Sequence, residues 1–354
     1  MKAWVLHNIN DFRYEDAEEP KILDNEVLVS VKAAGICGSD IPRVYENGAH
    51  KLPLILGHEF SGEVIKLGKD VKKTWLGKRV GIFPLIPCKE CSVCRKFEYE
   101  MCRQYSYLGS RRDGGFAEYV AVPEWNLVEF PDAISYEEAA MLEPMAVAVH
   151  AMQRITFMQS QKVVVSGLGT IGLLLTMFLI EKFESIENGI QNIFVIGNKD
   201  FQKEMVTKIG LPDSHYYDGR KEDIKDWLMS HTDGQGADVF FECVGKNETV
   251  VQAMKLAAPG GEICMVGNPY TDMMLPKDIY WNILRRQLRI TGTWNSSYKG
   301  READDWRYVL QKLQQRKIVP TGLITHRLPV KDLEKGFHIM QNKTEDYNKI
   351  MMIR

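Results

Sequence analysis

No apolar stretch in this sequence is long enough to cross a bilayer: the longest run, residues 171–180, falls well short of the roughly 20 residues a spanning helix needs. Nor is there a surplus of one charge. With 45 Lys and Arg against 47 Asp and Glu, the formal net charge is −2, which gives no electrostatic reason to expect nucleic acid or a membrane as partner. The opening Met1-Lys-Ala-Trp-Val-Leu-His7 turns polar without a signal-peptide apolar core, so a cytoplasmic protein is expected. Internal repeats and low-complexity tracts are absent. There are seven cysteines, and in a reducing compartment they do not read as a disulfide framework. The apolar and charged fractions are those of a soluble globular protein, and 354 residues suggest two domains.

The texture changes along the chain. The first 150 residues or so read as strands and turns, with β-rich runs at 2–6, 26–34, 62–66 and 116–122 broken by glycine signals. Ser135-Tyr-Glu-Glu138 is a capping box opening a short helix, which Pro144 is expected to end, and a second helix is expected over 145–153. From Lys162 strands alternate with helices through 292, the pattern of a doubly wound parallel sheet, and a helix over 303–314 precedes a short mixed tail.

Four of the cysteines crowd into Cys88-Lys-Glu-Cys91-Ser-Val-Cys94 and Cys102. Four thiolates on one loop suit a closed, tetrahedral structural zinc site; the last gap is too long for a ferredoxin-type cluster. Earlier, Gly35-Ile-Cys37-Gly-Ser39-Asp40 and Gly57-His58-Glu59 place a thiol, an imidazole and a carboxylate near one another. These are catalytic zinc donor types, although a core thiol beside a surface His-Glu pair is the plainer reading of the same residues.

Val163-Val-Val-Ser-Gly167-Leu-Gly169-Thr170-Ile171-Gly172 is G-x-G-x-x-G between a strand and an apolar helix. Gly167 permits the turn, Gly169 admits a pyrophosphate and Gly172 allows close packing, while N–H groups at the helix start, Thr170 and Ile171, meet the phosphates. A carboxylate is expected at the tip of the second strand, to hold the ribose of NAD. Here the tip reads Gly197-Asn198-Lys199, and the first carboxylate is Asp200. A small residue followed by an amide and a cation suits a 2′-phosphate, so NADP(H) tolerance or preference is expected; the alternative is that Asp200 turns back and NAD is used.

Together with Asp113-Gly-Gly-Phe-Ala-Glu118, Glu143-Pro144 and Phe241-Glu-Cys-Val-Gly245, these motifs resemble the zinc-dependent medium-chain dehydrogenase/reductase family over nearly the whole chain. Asn47-Gly-Ala-His50, Gly109-Ser-Arg-Arg-Asp-Gly-Gly115 and Gly292-Thr-Trp-Asn295 are most similar to its polyol-phosphate branch. The resemblance implies an α/β fold: a GroES-like β-rich catalytic domain over 1–150, to which 294–354 return, around a Rossmann doubly wound parallel-sheet domain over 151–293. It implies two zinc ions per chain, with Cys37, His58 and Glu143 at the catalytic one, Glu59 as a fourth, exchangeable ligand, and Cys88, Cys91, Cys94 and Cys102 at the structural one. Ser39 stands where the family has its first proton-relay hydroxyl; where related alcohol dehydrogenases often place a relay histidine, this chain has Pro42. The implied reaction is hydride transfer between a secondary alcohol of a polyol phosphate and NAD or NADP. Arg43, Lys51, Arg111 and Arg112 are candidates for the substrate phosphate. An unphosphorylated polyol, an arabitol phosphate or L-threonine is the alternative substrate, and a non-catalytic nucleotide-binding protein the third reading. A homodimer or homotetramer is expected by analogy.

Overall fold

The computed structural model describes residues 1–158, 160–187, 189–300 and 303–354. The chain divides into two compact units, Met1–Ala146 with Ser296–Arg354, and Val147–Asn295.

The first unit is built on β-sheet. Its seven-stranded sheet runs Leu127–Glu129, Arg79–Ile82, Glu59–Leu67, Glu26–Gly35, Lys349–Ile353 and Ile324–Pro329, with Tyr119–Pro123 also pairing to Glu26–Gly35. The C-terminal strand Lys349–Ile353 thus lies antiparallel beside Glu26–Gly35, whose Gly35 pairs with Glu59 on the other side. A three-stranded sheet of Asp11–Asp16, Lys2–Asn8 and Leu54–Ile55 and a small ladder of Leu85–Ile86 with Ser106–Tyr107 complete it. Val27, Val29, Val31, Phe60, Val64 and Phe116 are among the buried side chains of its core.

The second unit holds a six-stranded sheet, ordered Tyr216–Asp218, Ile193–Gly197, Val163–Ser166, Ala237–Glu242, Ala257–Met265 and Arg289–Gly292, with every pairing parallel. In chain order that is third, second, first, fourth, fifth, sixth, the Rossmann arrangement, in which the first strand marks the point where the order reverses. Val163–Ser166 is buried throughout, as a strand covered on both faces must be.

One local expectation fails. Ser135 Oγ accepts from the Glu138 N–H at 3.1 Å and Glu138 Oε2 from the Ser135 N–H at 2.8 Å, so the capping box is present. The helix it opens is only Tyr136–Ala140, and Pro144 does not end it. The break comes at Met141, and Pro144 lies in the first turn of the helix Leu142–Gln153. Proline is tolerated there because first-turn N–H groups have no intrahelical acceptor.

Candidate active site

Cys37 follows the end of Glu26–Gly35, Glu59 opens the neighbouring strand Glu59–Leu67, and His58 immediately precedes it. Strand pairing therefore brings the thiol, imidazole and carboxylate together: their ligand atoms all lie within 4.8 Å of one another. A Cβ on Gly35 would press on Glu59 Oε2 and displace the carboxylate, so glycine there keeps Glu59 in place. Gly57 adopts φ +94°, and a side chain on it would collide with the Phe116 ring.

Three residues unassigned from the sequence shape this group. Asp40, fully buried, sits 3.4 Å from His58 Nδ1 and accepts from the Cys37 N–H at 3.1 Å. Lys349 donates from Nζ to Glu59 Oε2 at 2.5 Å and to Ile36 O at 3.1 Å, with both charged side chains only 2% exposed. Tyr107 donates to Glu143 Oε1 at 3.2 Å. Burial opposes a charge on His58, but Asp40 and Cys37 outweigh it and push the imidazole well above its ordinary range. Burial also raises Glu143, to about 7, and the like charge of Glu59 adds to this. Glu143 is buried beside these groups but is not a member of the tight set. A thiol, an imidazole and a carboxylate converging under cover are a donor set that a divalent ion would satisfy by displacing protons. With Nδ1 turned to Asp40, Nε2 is the nitrogen left for an ion.

Ser39 donates to Cys37 Sγ at 3.3 Å and accepts from Arg43 Nη1 at 2.9 Å. Arg43 also reaches Asp40 Oδ1 at 3.0 Å, so this candidate phosphate ligand is already bonded. Arg112 is likewise paired, to buried Glu26 at 2.5 Å. Arg111 stacks on Tyr105 at 4.4 Å, and with Lys51 and Arg112 it lines a groove of about 510 Å³.

The four sulfurs of Cys88, Cys91, Cys94 and Cys102 lie within 4.8 Å of one another, and all seven cysteines of the chain are free. Backbone N–H groups already point at them: Cys88 N–H to Cys102 Sγ at 3.3 Å and Cys91 N–H to Cys88 Sγ at 3.4 Å. N–H groups of Arg103 and Cys94 draw Cys91 down to about 6, favouring the thiolate a metal needs. The loop rests on aromatic packing, Tyr99 against Trp125 at 5.2 Å and Trp125 against Tyr298 at 5.0 Å. Chelating this ion, or replacing Cys102 by serine, is expected to remove one zinc per chain and lower the melting temperature of the first unit, because binding free energy here is folding free energy. Metal analysis with calorimetry checks it; unchanged melting with one ion fewer would show the loop stands without metal.

In the second unit Gly167 has φ +95°, and a Cβ there would lie 2.5 Å from Val244. A Cβ on Gly172 would overlap Gly167 O, whereas at Gly169 nothing lies within 4 Å. That opening at the start of Thr170–Phe183 fits a pyrophosphate. Gln202 ties this turn to the second strand, accepting from Asn198 N–H at 2.9 Å and donating to Leu168 O at 3.1 Å. Lys199 caps the helix Asp200–Lys208.

A GroES-like β unit with a Cys-His-Glu set of which the imidazole and carboxylate are buried, and a four-cysteine loop, together with a Rossmann unit bearing a glycine cradle, defines a zinc- and nicotinamide-dependent dehydrogenase. Residues 23–132 match the alcohol dehydrogenase GroES-like domain and residues 187–315 the zinc-binding dehydrogenase domain. The chain belongs to the zinc-dependent medium-chain dehydrogenase/reductase family, and its cofactors are zinc and NAD(P). It is 33% identical to galactitol 1-phosphate 5-dehydrogenase of Escherichia coli K12 over 92% of each chain. It is 29% identical to a sorbitol dehydrogenase of Halalkalibacterium halodurans over 97% of this chain and 96% of that one. The crystal structure of the Escherichia coli galactitol-1-phosphate dehydrogenase superposes with a TM-score of 0.89 at 28% identity, covering 100% of both chains.

Proposed function

We propose that the protein oxidises a secondary alcohol of a polyol phosphate to the corresponding ketose phosphate, of the galactitol 1-phosphate to tagatose 6-phosphate type, with NAD(P) as hydride acceptor. The observation that carries the dehydrogenase reading is the convergence of a half-buried Cys37 with the buried His58 and Glu59 within 4.8 Å. Cys37, His58 and Glu143 would hold the catalytic zinc, with Glu59 as an exchangeable fourth ligand. Bound there, the ion would supply Lewis-acid assistance to loss of the alcohol proton, and the nicotinamide would supply the hydride acceptor.

The chain's own groups do the positioning. Asp40 orients His58, and Lys349 holds Glu59 by its Oε2. Ser39 relays the proton: one lone pair of its hydroxyl accepts from Arg43, the second accepts from substrate, and the proton the hydroxyl already carries turns from Cys37 Sγ and is released as the substrate's arrives. Pro42, within the helix Asp40–Tyr45, offers no imidazole to pass that proton on, so water or a ribose hydroxyl takes it.

Arg111 and Lys51 are the cations of the expected set that supply a substrate phosphate, and the likeness to galactitol 1-phosphate 5-dehydrogenase supports that assignment. Charge-assisted hydrogen bonds contribute about 1.5–3 kcal/mol each, so galactitol 1-phosphate is expected to exceed galactitol in kcat/KM by about 100-fold. Equal values would reject the phosphate and leave the dehydrogenase class intact. The second reading, an unphosphorylated polyol such as sorbitol, is favoured by the prior engagement of Arg43 with Asp40 and of Arg112 with Glu26.

The seven free cysteines support a cytoplasmic setting, and no helix among the described residues is long and apolar enough to cross a membrane. Tyr280, Trp281 and Leu284 of Lys277–Arg285 and Ile290 of the edge strand Arg289–Gly292 are exposed, which supports assembly as a homodimer or homotetramer.

A further inference from the structure

The tip of Ile193–Gly197 carries an amide and an ammonium, and the neighbouring strand Tyr216–Asp218 brings a guanidinium beside them. The two tips are bonded together: Gly219 N–H donates to Gly197 O at 2.6 Å, and the Tyr216 hydroxyl to Lys199 O at 3.0 Å. Arg220 is clamped at this junction. Its Nε lies 2.8 Å from Asp218 Oδ1, and its Nη2 lies 2.6 Å from Asp218 Oδ2 and 2.5 Å from Asp200 Oδ1. Its Nη1 has no hydrogen-bond partner among the described residues, and the side chain is half exposed. A guanidinium locked along one edge has already lost most of its rotamer freedom, and its remaining N–H groups meet a phosphate at little further entropic cost.

The same contacts bear on the competing ligand. A free ribose 2′-hydroxyl needs a carboxylate acceptor. Asp218 is forked onto Arg220, and Asp200, the first carboxylate after the strand tip, is bonded to the same guanidinium. We propose that Arg220 is a cofactor-specificity residue: with Asn198 and Lys199 it binds the 2′-phosphate of NADP(H), while its fork on both oxygens of Asp218, and its bond to one oxygen of the exposed Asp200, draw these carboxylates from the ribose hydroxyls of NAD(H). Asp200 competes with the phosphate for Nη2, so its charge lowers NADP(H) affinity. The inference rests on the reading that this unit holds a dinucleotide.

The test is calorimetric titration of the zinc-loaded whole chain with NADPH, NADH and 2′,5′-ADP, a readout independent of turnover. Wild type is expected to prefer NADPH. Arg220→Ala is expected to weaken NADPH and 2′,5′-ADP by about 10-fold, the lower end for a charge-assisted contact because the group is half exposed, and to leave NADH unchanged. Arg220→Lys should recover part of that loss, and Asp200→Asn should tighten NADPH. Wild-type preference for NADH, an equal loss of both cofactors in Arg220→Ala, or weakened NADH binding in Asp200→Asn would each overturn the proposal. A chain that binds neither cofactor would overturn the dinucleotide reading beneath it, a result distinct from any change of preference.

Discussion

Replacing Cys37 by alanine is expected to reduce the zinc content from two ions per chain to one and to lower kcat by at least about 1,000-fold, since a Lewis acid supplies several kcal/mol of transition-state stabilisation and each 1.4 kcal/mol is tenfold. The separation of the two losses makes the experiment informative. Cys37, His58 and Glu59 form one group and Cys88, Cys91, Cys94 and Cys102 another, with no shared member. The ion of the four-cysteine loop should therefore persist, and with it the packing of Tyr99 and Trp125. Cys37 is only partly buried and follows the strand Glu26–Gly35, so its truncation leaves no large cavity and the melting temperature of the metal-free protein should barely move. Elemental analysis and steady-state kinetics on the same preparation check both halves. Wild-type turnover, or two ions retained, would remove Cys37 from the catalytic metal site. A His58→Ala variant should reproduce the result, with an added stability loss because Asp40 then stays buried without the imidazole beside it.

What could be read from the sequence depends on how local the constraint is. Cys88, Cys91, Cys94 and Cys102 serve one ion from one loop, so the geometry dictates their spacing and the spacing is visible. Gly167, Gly169 and Gly172 are legible for the same reason: the turn, the opening and the helix packing lie within six residues of chain. The six strands of the second unit follow from the alternation of elements; most bounds shift by a residue or two, but the fifth strand, expected from Glu262, begins five residues earlier at Ala257. Pro144 shows the limit of such rules. Proline stops a helix and also begins one, and choosing between them needed the break at Met141, which no residue type marks.

The supporting groups of the metal site are less visible. Asp40 lies inside a quoted motif, yet its function emerges only when strand pairing sets His58 Nδ1 3.4 Å away. Tyr107 meets Glu143 across 36 positions of sequence, and Lys349 meets Glu59 across 290. A lysine opening the apolar run Lys349-Ile-Met-Met-Ile353 is the one faint signal, because a buried ammonium demands a partner. Which carboxylate it answers is decided by sheet order. Only the placement of Lys349–Ile353 next to Glu26–Gly35, and of that strand next to Glu59–Leu67, brings the two charges together. Arg220 follows the same logic, standing just past the strand Tyr216–Asp218, which pairs with the strand Ile193–Gly197 that ends before Asn198 and Lys199.

That long-range pair leads to the largest expected effect on stability. Lys349→Met keeps the length and apolar stem of the side chain but leaves Glu59, 2% exposed, without its cation. Breaking a buried pair from one side costs about 3–5 kcal/mol, because the surviving charge keeps its desolvation penalty. For a unit of about 200 residues this corresponds to a fall in melting temperature of roughly 6–20 °C in the metal-free protein. Lys349→Arg should fall less, since it keeps the charge while losing the fit to Ile36 O. Zinc should shrink the deficit of Lys349→Met, because an ion held beside Cys37 and His58 gives the buried Glu59 another positive neighbour. Calorimetric melts of both variants with and without one added equivalent of zinc separate these contributions. If Lys349→Met melts with wild type in the absence of metal, the ion pair is not a structural necessity. If added zinc widens the gap, Lys349 supports the ion's binding and does more than neutralise Glu59. A narrowing gap means that lysine and metal share one carboxylate, which is the arrangement an exchangeable ligand requires.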